Sequence, residues 1–288
     1  MQETFKRELE IRLVKDRAPI TFMHRKDPVR SEDFFPHLNN YVEIYIFISG
    51  DVDYVVEEDY ISLMQGDVVV ISPHEVHVPV IKSQGNYERL YMLLPLDVFS
   101  EFPFDPVARY SAFKRHKISL AENEKKRLLS LLEQISALAE KEKSDSCEAL
   151  ITGLFLQIHS LLLYAIEHQE SRNEPKLPSG IHQQIREILA YIGEYATEID
   201  SVGSIARHFY VSPQYLSSFF KRQVGINVNE YLRIKKTSRA KILLESGKSV
   251  AEAGYECGFS DSSHFIKIFK KYVGMTPKQY QNLFIKRP

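Results

Sequence analysis

The sequence predicts an α+β chain of two domains. The first is an antiparallel β-barrel with helices. The second is all-α, with two helix-turn-helix units joined by a connecting helix. Three observations lead there. Short β-branched and aromatic runs recur roughly every ten residues between about 20 and 100. A longer segment occurs twice near the C-terminus, 49 positions apart. Charge is split between the halves: from Ile181 onward there are 16 Lys/Arg and 9 Asp/Glu, and residues 1–180 hold the remaining 21 and 29.

The 288 residues leave room for two domains, 1–170 and 181–288, with the polar stretch "SRNEPKLPSG" (171–180) as linker. No long apolar run stands out, which argues against a membrane span or a signal peptide. Cys147 and Cys257 fall one in each domain, so no structural disulfide is expected and a reducing cytoplasm fits.

The strands come first. In "YVEIYIFISG", Val42, Ile44, Ile46 and Ile48 face one way, and Tyr41, Glu43, Tyr45 and Phe47 the other. "DYISL", "GDVVVISP" and "ERLYMLLP" supply further strands, bounded by Gly, Pro and acidic turns. Glu43 among aromatic side chains suits a polar anchor inside a pocket. On an outer face it would be an ordinary edge charge. Two amphipathic helices follow, one with the stripe Leu128, Leu131, Leu132, Ile135 and Leu138, the other with Leu150, Leu154, Ile158, Leu161, Leu162 and Ala165.

The repeat dominates the C-terminal half. "SPQYLSSFFKRQVGINVNEY" from Ser212 aligns with "DSSHFIKIFKKYVGMTPKQY" from Asp261. Each copy follows a short small-residue helix. In the second copy Gly258 can end the first helix in the left-handed conformation, Phe259 can staple the turn, and Ser260 and Asp261 can cap the next helix. Phe265, Ile268, Phe269 and Tyr272 then form one apolar stripe, leaving Ser262, Ser263, Ile266, Lys267 and Lys270 outside. The uninterrupted run from about Asn229 to Ser246 reads as one connecting helix of roughly 27 Å. It would hold two recognition helices about one DNA turn apart, roughly 34 Å. A basic half with this layout suits double-stranded DNA, weakened by salt.

These segments resemble the DNA-binding domain of the AraC/XylS transcription regulators, from about Ile181 to Tyr280. The motifs that carry the resemblance are "SIARHFYVSPQYLSSFFKRQVG", "YLRIKKTSRAKILL" and "GFSDSSHFIKIFKKYVGMTPKQY". Ala253 and Gly254 replace a bulkier apolar residue and Ala; Gly254 should weaken its helix by up to about 1 kcal/mol and leave the second unit less rigid. Lys236 and Thr237 stand where Arg and Leu are usual. The resemblance implies base reading from Gln214, Ser217 and Ser218 in the first unit and Ser262, Ser263, His264 and Lys267 in the second, with Lys221, Arg222, Lys270 and Lys271 on phosphate.

The N-terminal half resembles the cupin-like barrel of many such regulators. His37, Asn39, Glu43 and Gly50 follow the first cupin motif, with Asn39 in place of a second His, and "GDVVVISPHEVH" resembles the second motif, ending on His77. The implied pocket for a small molecule, expected to be a sugar, is lined by His37, Glu43, Tyr45, His77 and Tyr91. No cofactor is expected, although His37, Glu43 and His77 could ligate Zn, Mn or Fe. The expectation is a cytoplasmic, non-enzymatic, ligand-responsive regulator, an activator of a catabolic operon. It would be a homodimer through one of the two amphipathic helices and would contact RNA polymerase. The alternatives are a cupin metalloenzyme fused to a DNA-binding tail, which Asn39 disfavours, and a regulator without a small-molecule ligand.

Overall fold

The computed structural model describes residues 5–29, 34, 36–113, 115–140, 144–169 and 180–285. Apart from Gly180, the expected linker lies outside them. The strands are β1 (Phe5–Ile11), β2 (Ile20–Val29), β3 (Val42–Ser49), β4 (Val52–Val56), β5 (Asp59–Ser62), β6 (Val68–Ile71), β7 (His77–Ile81), β8 (Gly85–Leu94) and β9 (Lys117–Ile118). They form two antiparallel sheets, ordered β1-β2-β8-β3-β6-β9 and β5-β4-β7.

Alternation along β3 decides the layers. Val42, Ile44 and Ile46 join a core with Val68, Val70, Leu90, Met92 and Leu94, against which α2 (Glu122–Ala139) and α3 (Asp145–Glu167) pack. Tyr45 and Phe47 point the other way, toward Tyr54, Val56, Ile61 and Ile81 of the smaller sheet. The short helix α1 (Pro106–Ala112) starts on an Asp105 cap and closes one end of the helical layer.

The α2 stripe is buried as expected, with Leu138 at its margin. The α3 stripe is not the expected one. Its core face is Ile151, Phe155, Ile158, His159, Leu162 and Ala165; Leu150 is 57% exposed, and Leu154 and Leu161 are half-buried. This helix is apolar on two sides, so periodicity alone misplaced the buried one. A second correction follows. The 23 residues of α3, with a mean hydropathy of 1.8 over their most apolar 18-residue window, are long and apolar enough to cross a membrane. Its sequence has polar interruptions, such as Gln157 and His159, which disguise the run. One side is packed into the barrel core, the ordinary use of such a helix in a folded domain.

Ion pairs lock the two sheets together. His116, before β9, meets Asp59 of β5 at 2.7 Å and Glu75 at 3.3 Å. Buried Asp67 holds Lys117 at 2.6 Å and Lys125 at 2.7 Å. Burial opposes the charge on His116, but the two carboxylates overcome it and push its pKa up to about 9. A raised folded pKa stabilises fully below the unfolded value near 6.5, and that stabilisation is lost as pH rises through 9. The stability advantage of the wild type over His116→Gln should therefore shrink by about 3 kcal/mol between pH 6 and 10. Denaturant titrations across that range measure it; a pH-independent difference would show that the imidazole carries no such charge.

Candidate functional site

The C-terminal half contains α4 (Ile181–Tyr195), α5 (Val202–His208), α6 (Pro213–Val224), α7 (Val228–Glu245), α8 (Val250–Glu256), α9 (Ser262–Val273) and α10 (Pro277–Ile285). Pairs α5–α6 and α8–α9 are the two helix-turn-helix units. Capping explains their boundaries. Ser201, Ser212 and Ser249 accept from backbone N–H groups three residues on, and Asp261 accepts from Ser263 and His264 at 3.1 and 3.0 Å. Ser260 is not the cap. Both recognition helices, α6 and α9, end on a left-handed glycine, Gly225 and Gly274.

The repeat is not uniform. The supporting helices begin 48 residues apart, at Val202 and Val250, while the recognition helices begin 49 apart, at Pro213 and Ser262. The second turn has one residue more. Its Gly258 has φ +73°, and a Cβ there would lie 2.2 Å from the Thr197 carbonyl oxygen. The first turn places Tyr210 at φ 55°, 97% exposed. Gly254 also has a packing reason: a Cβ would meet the Phe265 ring at 2.8 Å, so its absence lets α8 approach α9.

The helix α7 carries both units. Leu232 joins the core of the first unit; Ala240, Leu243 and Leu244 join that of the second. Lys236 Nζ donates to the Ile199 carbonyl at 3.0 Å and the Gly258 carbonyl at 3.2 Å, tying the two units to one point. Thr237 is buried and donates back to Arg233 at 2.8 Å.

Around this frame, Gln214, Ser218, Lys221, Arg222, Ser262, Ser263, His264, Lys267, Lys270 and Lys271 are exposed, and Ser217 is half-buried. Lys271 also pairs with Glu230 of α7 at 3.1 Å. Two exposed side chains on the recognition helices lie outside the expected base-reading set, Tyr215 (47%) and Ile266 (39%), although Ile266 was placed off the apolar stripe. Both are large apolar groups that a stripe analysis assigns to no core, and that mismatch was the available signal.

Inside the barrel, Glu43, Tyr45, His77 and Tyr91 converge with partners that the sequence reading overlooked. The Tyr45 and Tyr87 hydroxyls are 2.6 Å apart, and Tyr54 lies against Tyr45 with ring centroids at 4.5 Å. Register puts Tyr91 beside Tyr45, and Tyr87 beside Asp27. Arg89 is 6% exposed, pairs with Asp27 at 3.1 Å, and lies over the Tyr87 and Phe34 rings at 4.3 and 5.2 Å. The clue was alternation in β8: Tyr87, Arg89 and Tyr91 share a face opposite Leu90, Met92 and Leu94.

Beside them, half-buried Asn39 donates its amide to buried Glu43 Oε2 at 2.9 Å, while His37 is exposed. Burial alone would raise the Glu43 carboxyl, but His77, and then His37 and Asn39, hold it below its usual value. His37 and His77 pair through their backbones and stack edge to face at 4.2 Å. His77 Nδ1 lies 2.9 Å from the Glu75 carbonyl, the geometry of a donated hydrogen bond. Buried His77 Nε2 lies 3.3 Å from Glu43 Oε2 and makes no hydrogen bond. One ligand atom from each of His37, Glu43 and His77 lies within 4.8 Å of the others. The donor set of two imidazoles and a carboxylate, with a hydrogen bond orienting one imidazole, fits a divalent transition metal.

A family model described as a helix-turn-helix domain matches residues 205–283, and one described as an AraC-like ligand-binding domain matches residues 27–159. The melibiose operon regulatory protein of Escherichia coli (strain K12) is 24% identical over 292 residues, covering 93% of this chain and 92% of that protein. The HTH-type transcriptional activator RhaR of Mannheimia succiniciproducens is 25% identical over 281 residues, covering 95% of each. The arabinose operon regulatory protein of Escherichia coli (strain K12) is 30% identical over 128 residues, covering 44% of each.

The turns allow a direct check on what positions the recognition helices. Gly258→Ala should cost at least about 2 kcal/mol, because it combines positive φ with a backbone clash. Tyr210→Gly should cost nothing, since relief of left-handed strain, about 1–2 kcal/mol, meets a glycine entropy loss of about 0.5–1 kcal/mol. Chemical denaturation of the two variants tests this. Equal losses would mean that the two turns do not differ as described.

Proposed function

The chain belongs to the AraC family of transcription regulators, and from that premise we propose that it activates a catabolic operon in response to a carbohydrate bound inside its barrel. The observation that carries this reading is the barrel interior: Tyr45, Tyr54, Tyr87 and Tyr91 beside Glu43, His77, Arg89 and Asp27. Tyrosine rings suit the C–H faces of a sugar, and the charged groups offer donors and acceptors for its hydroxyls. Relatives named for the melibiose and arabinose operons support the carbohydrate class.

DNA is read by the first turns of α6 and α9, through Gln214, Ser217, Ser218, Ser262, Ser263, His264 and Lys267, with Lys221, Arg222, Lys270 and Lys271 on phosphate. Exposed Ile266 adds an apolar group suited to a thymine methyl. The exposed side of α3, around Leu150, Leu154 and Leu161, pairs two chains and brings four units to the operator. The ligand-sensing unit is 1–170, the linker 171–180 and the DNA-binding unit 181–288. The protein works in the cytoplasm with RNA polymerase as its partner. It performs no turnover: ligand binding changes state through differential affinity.

A second reading is favoured by the convergence of His37, Glu43 and His77, with one ligand atom of each within 4.8 Å of the others. A divalent metal held by His37, Glu43 and His77 would supply a fixed positive charge for ligand oxygens.

A thermal-unfolding screen against sugars, sugar acids and divalent metals, with a chelator control, separates these readings. A ligand at a hundred times its dissociation constant adds about 2.7 kcal/mol to the folded state. We expect a shift of a few degrees with one sugar class, lost in Glu43→Gln and Arg89→Leu. A fall with chelator alone would favour the metal. No shift with any sugar would remove the carbohydrate reading.

A further inference from the structure

Five side chains of α7, Tyr231, Lys235, Ser238, Lys241 and Glu245, recur at spacings of three and four and so share one face. Each meets the barrel. Tyr231 donates to the Glu57 carbonyl at 2.9 Å, and Lys235 pairs with the Glu57 carboxylate. Ser238 donates to the His74 carbonyl at 2.5 Å, and Glu245 meets His74 Nε2 at 3.1 Å. Lys241 donates to Asn40 Oδ1 at 2.6 Å. The result is a polar seam along the whole strut. Hydrogen-bonded contacts of this kind exchange for water at small net cost, whereas apolar contacts do not. Beside the seam, α4 shares an apolar cluster with Val55 and Tyr60 of the barrel, a contact suited to act as a pivot.

Backbone strain gathers at the same place. Glu57 has φ 53° and His74 has φ 70°, two of the three non-glycine residues with positive φ among the described residues. Such conformations persist only where the surroundings enforce them. Here they are enforced by bonds that also reach the barrel interior. Asn39 accepts from His74 N at 2.9 Å through its carbonyl while its amide holds Glu43. The turn continues to Glu75, whose carbonyl orients His77. A ligand that moves Glu43 or His77 therefore pulls on the backbone that grips α7.

The direction of the effect follows from α6. Its Ser218, Lys221 and Arg222 form one wall of a groove whose other wall is Pro79–Ile81 of β7. A duplex backbone that reaches Lys221 and Arg222 must share that groove with the barrel. We propose that the polar seam along α7 restrains DNA binding, gripped at Glu57, His74 and Asn40, and that occupancy of the barrel interior releases it. This rests on the reading of the chain as a DNA-binding regulator.

The test uses the full chain and a duplex selected by the wild-type chain from a randomised library. Asn40→Ala combined with Glu57→Gln, and separately Ser238→Ala, are compared with wild type and with Lys267→Ala, without added effector. Circular dichroism checks folding, and hydrogen exchange reports on α7 and α4. The double variant should bind the duplex roughly tenfold more tightly, and Ser238→Ala by a smaller factor, with faster exchange in α7 but not in α4. Lys267→Ala should bind more weakly. Unchanged or weaker binding by the seam variants despite faster α7 exchange would overturn the restraint, as would unchanged exchange, because the named contacts would then hold nothing. Failure of the wild type to select any duplex would instead overturn the regulator reading and the restraint with it.

Discussion

The burial of α7 on three sides is the constraint from which the rest of the molecule follows. One side completes the first helix-turn-helix unit through Leu232, and a second completes the other unit through Ala240, Leu243 and Leu244. The third is the polar face against the barrel. With three sides held and only Asn229, Arg233, Arg239 and Ile242 exposed along it, the units cannot turn independently about the strut. Lys236 sharpens this, because one ammonium group holds carbonyls from both units, and its pKa is lowered by that burial. The position tolerates Lys in place of a guanidinium because its targets are two carbonyl oxygens, which a compact ammonium can reach without bidentate geometry.

The barrel solves a different problem, that of keeping charges inside a small β-structure. Asp67, Arg89, Glu43 and His116 are all nearly inaccessible, and each has an oppositely charged or hydrogen-bonding partner. Those at the sheet edges, Asp67 and His116, close the structure. Those in the interior, Glu43 and Arg89, face aromatic rings and make polar contacts that a ligand can exchange. Unpaired buried charge is costly, so such groups persist where structure or ligand binding uses them.

Much of the C-terminal half was legible in the sequence because its signals are local. Caps, left-handed glycines and three-and-four spacing act within a turn or two, and the connecting helix observed at Val228–Glu245 differs by one residue at each end from the run expected. The extra residue in the second turn escaped notice because alignment of the recognition helices alone hides it. The barrel was legible in its alternation along β3, but Arg89 was not, since a cation in a strand reads as solvent-facing until folding brings its guanidinium to Asp27 on the neighbouring strand. The buried side of α3 was ambiguous for a similar reason: both faces are apolar, and only packing chooses between them. The seam along α7 had no sequence signal at all, because its partners lie more than 160 residues away.

The most direct measurement of the central claim is a hydroxyl-radical footprint of the full chain on its selected duplex. Two recognition helices fixed to one strut must enter successive major grooves. Each bound chain should then protect two patches on one face of the duplex, about one helical turn apart. A single protected patch per chain, or two patches on opposite faces, would contradict the account.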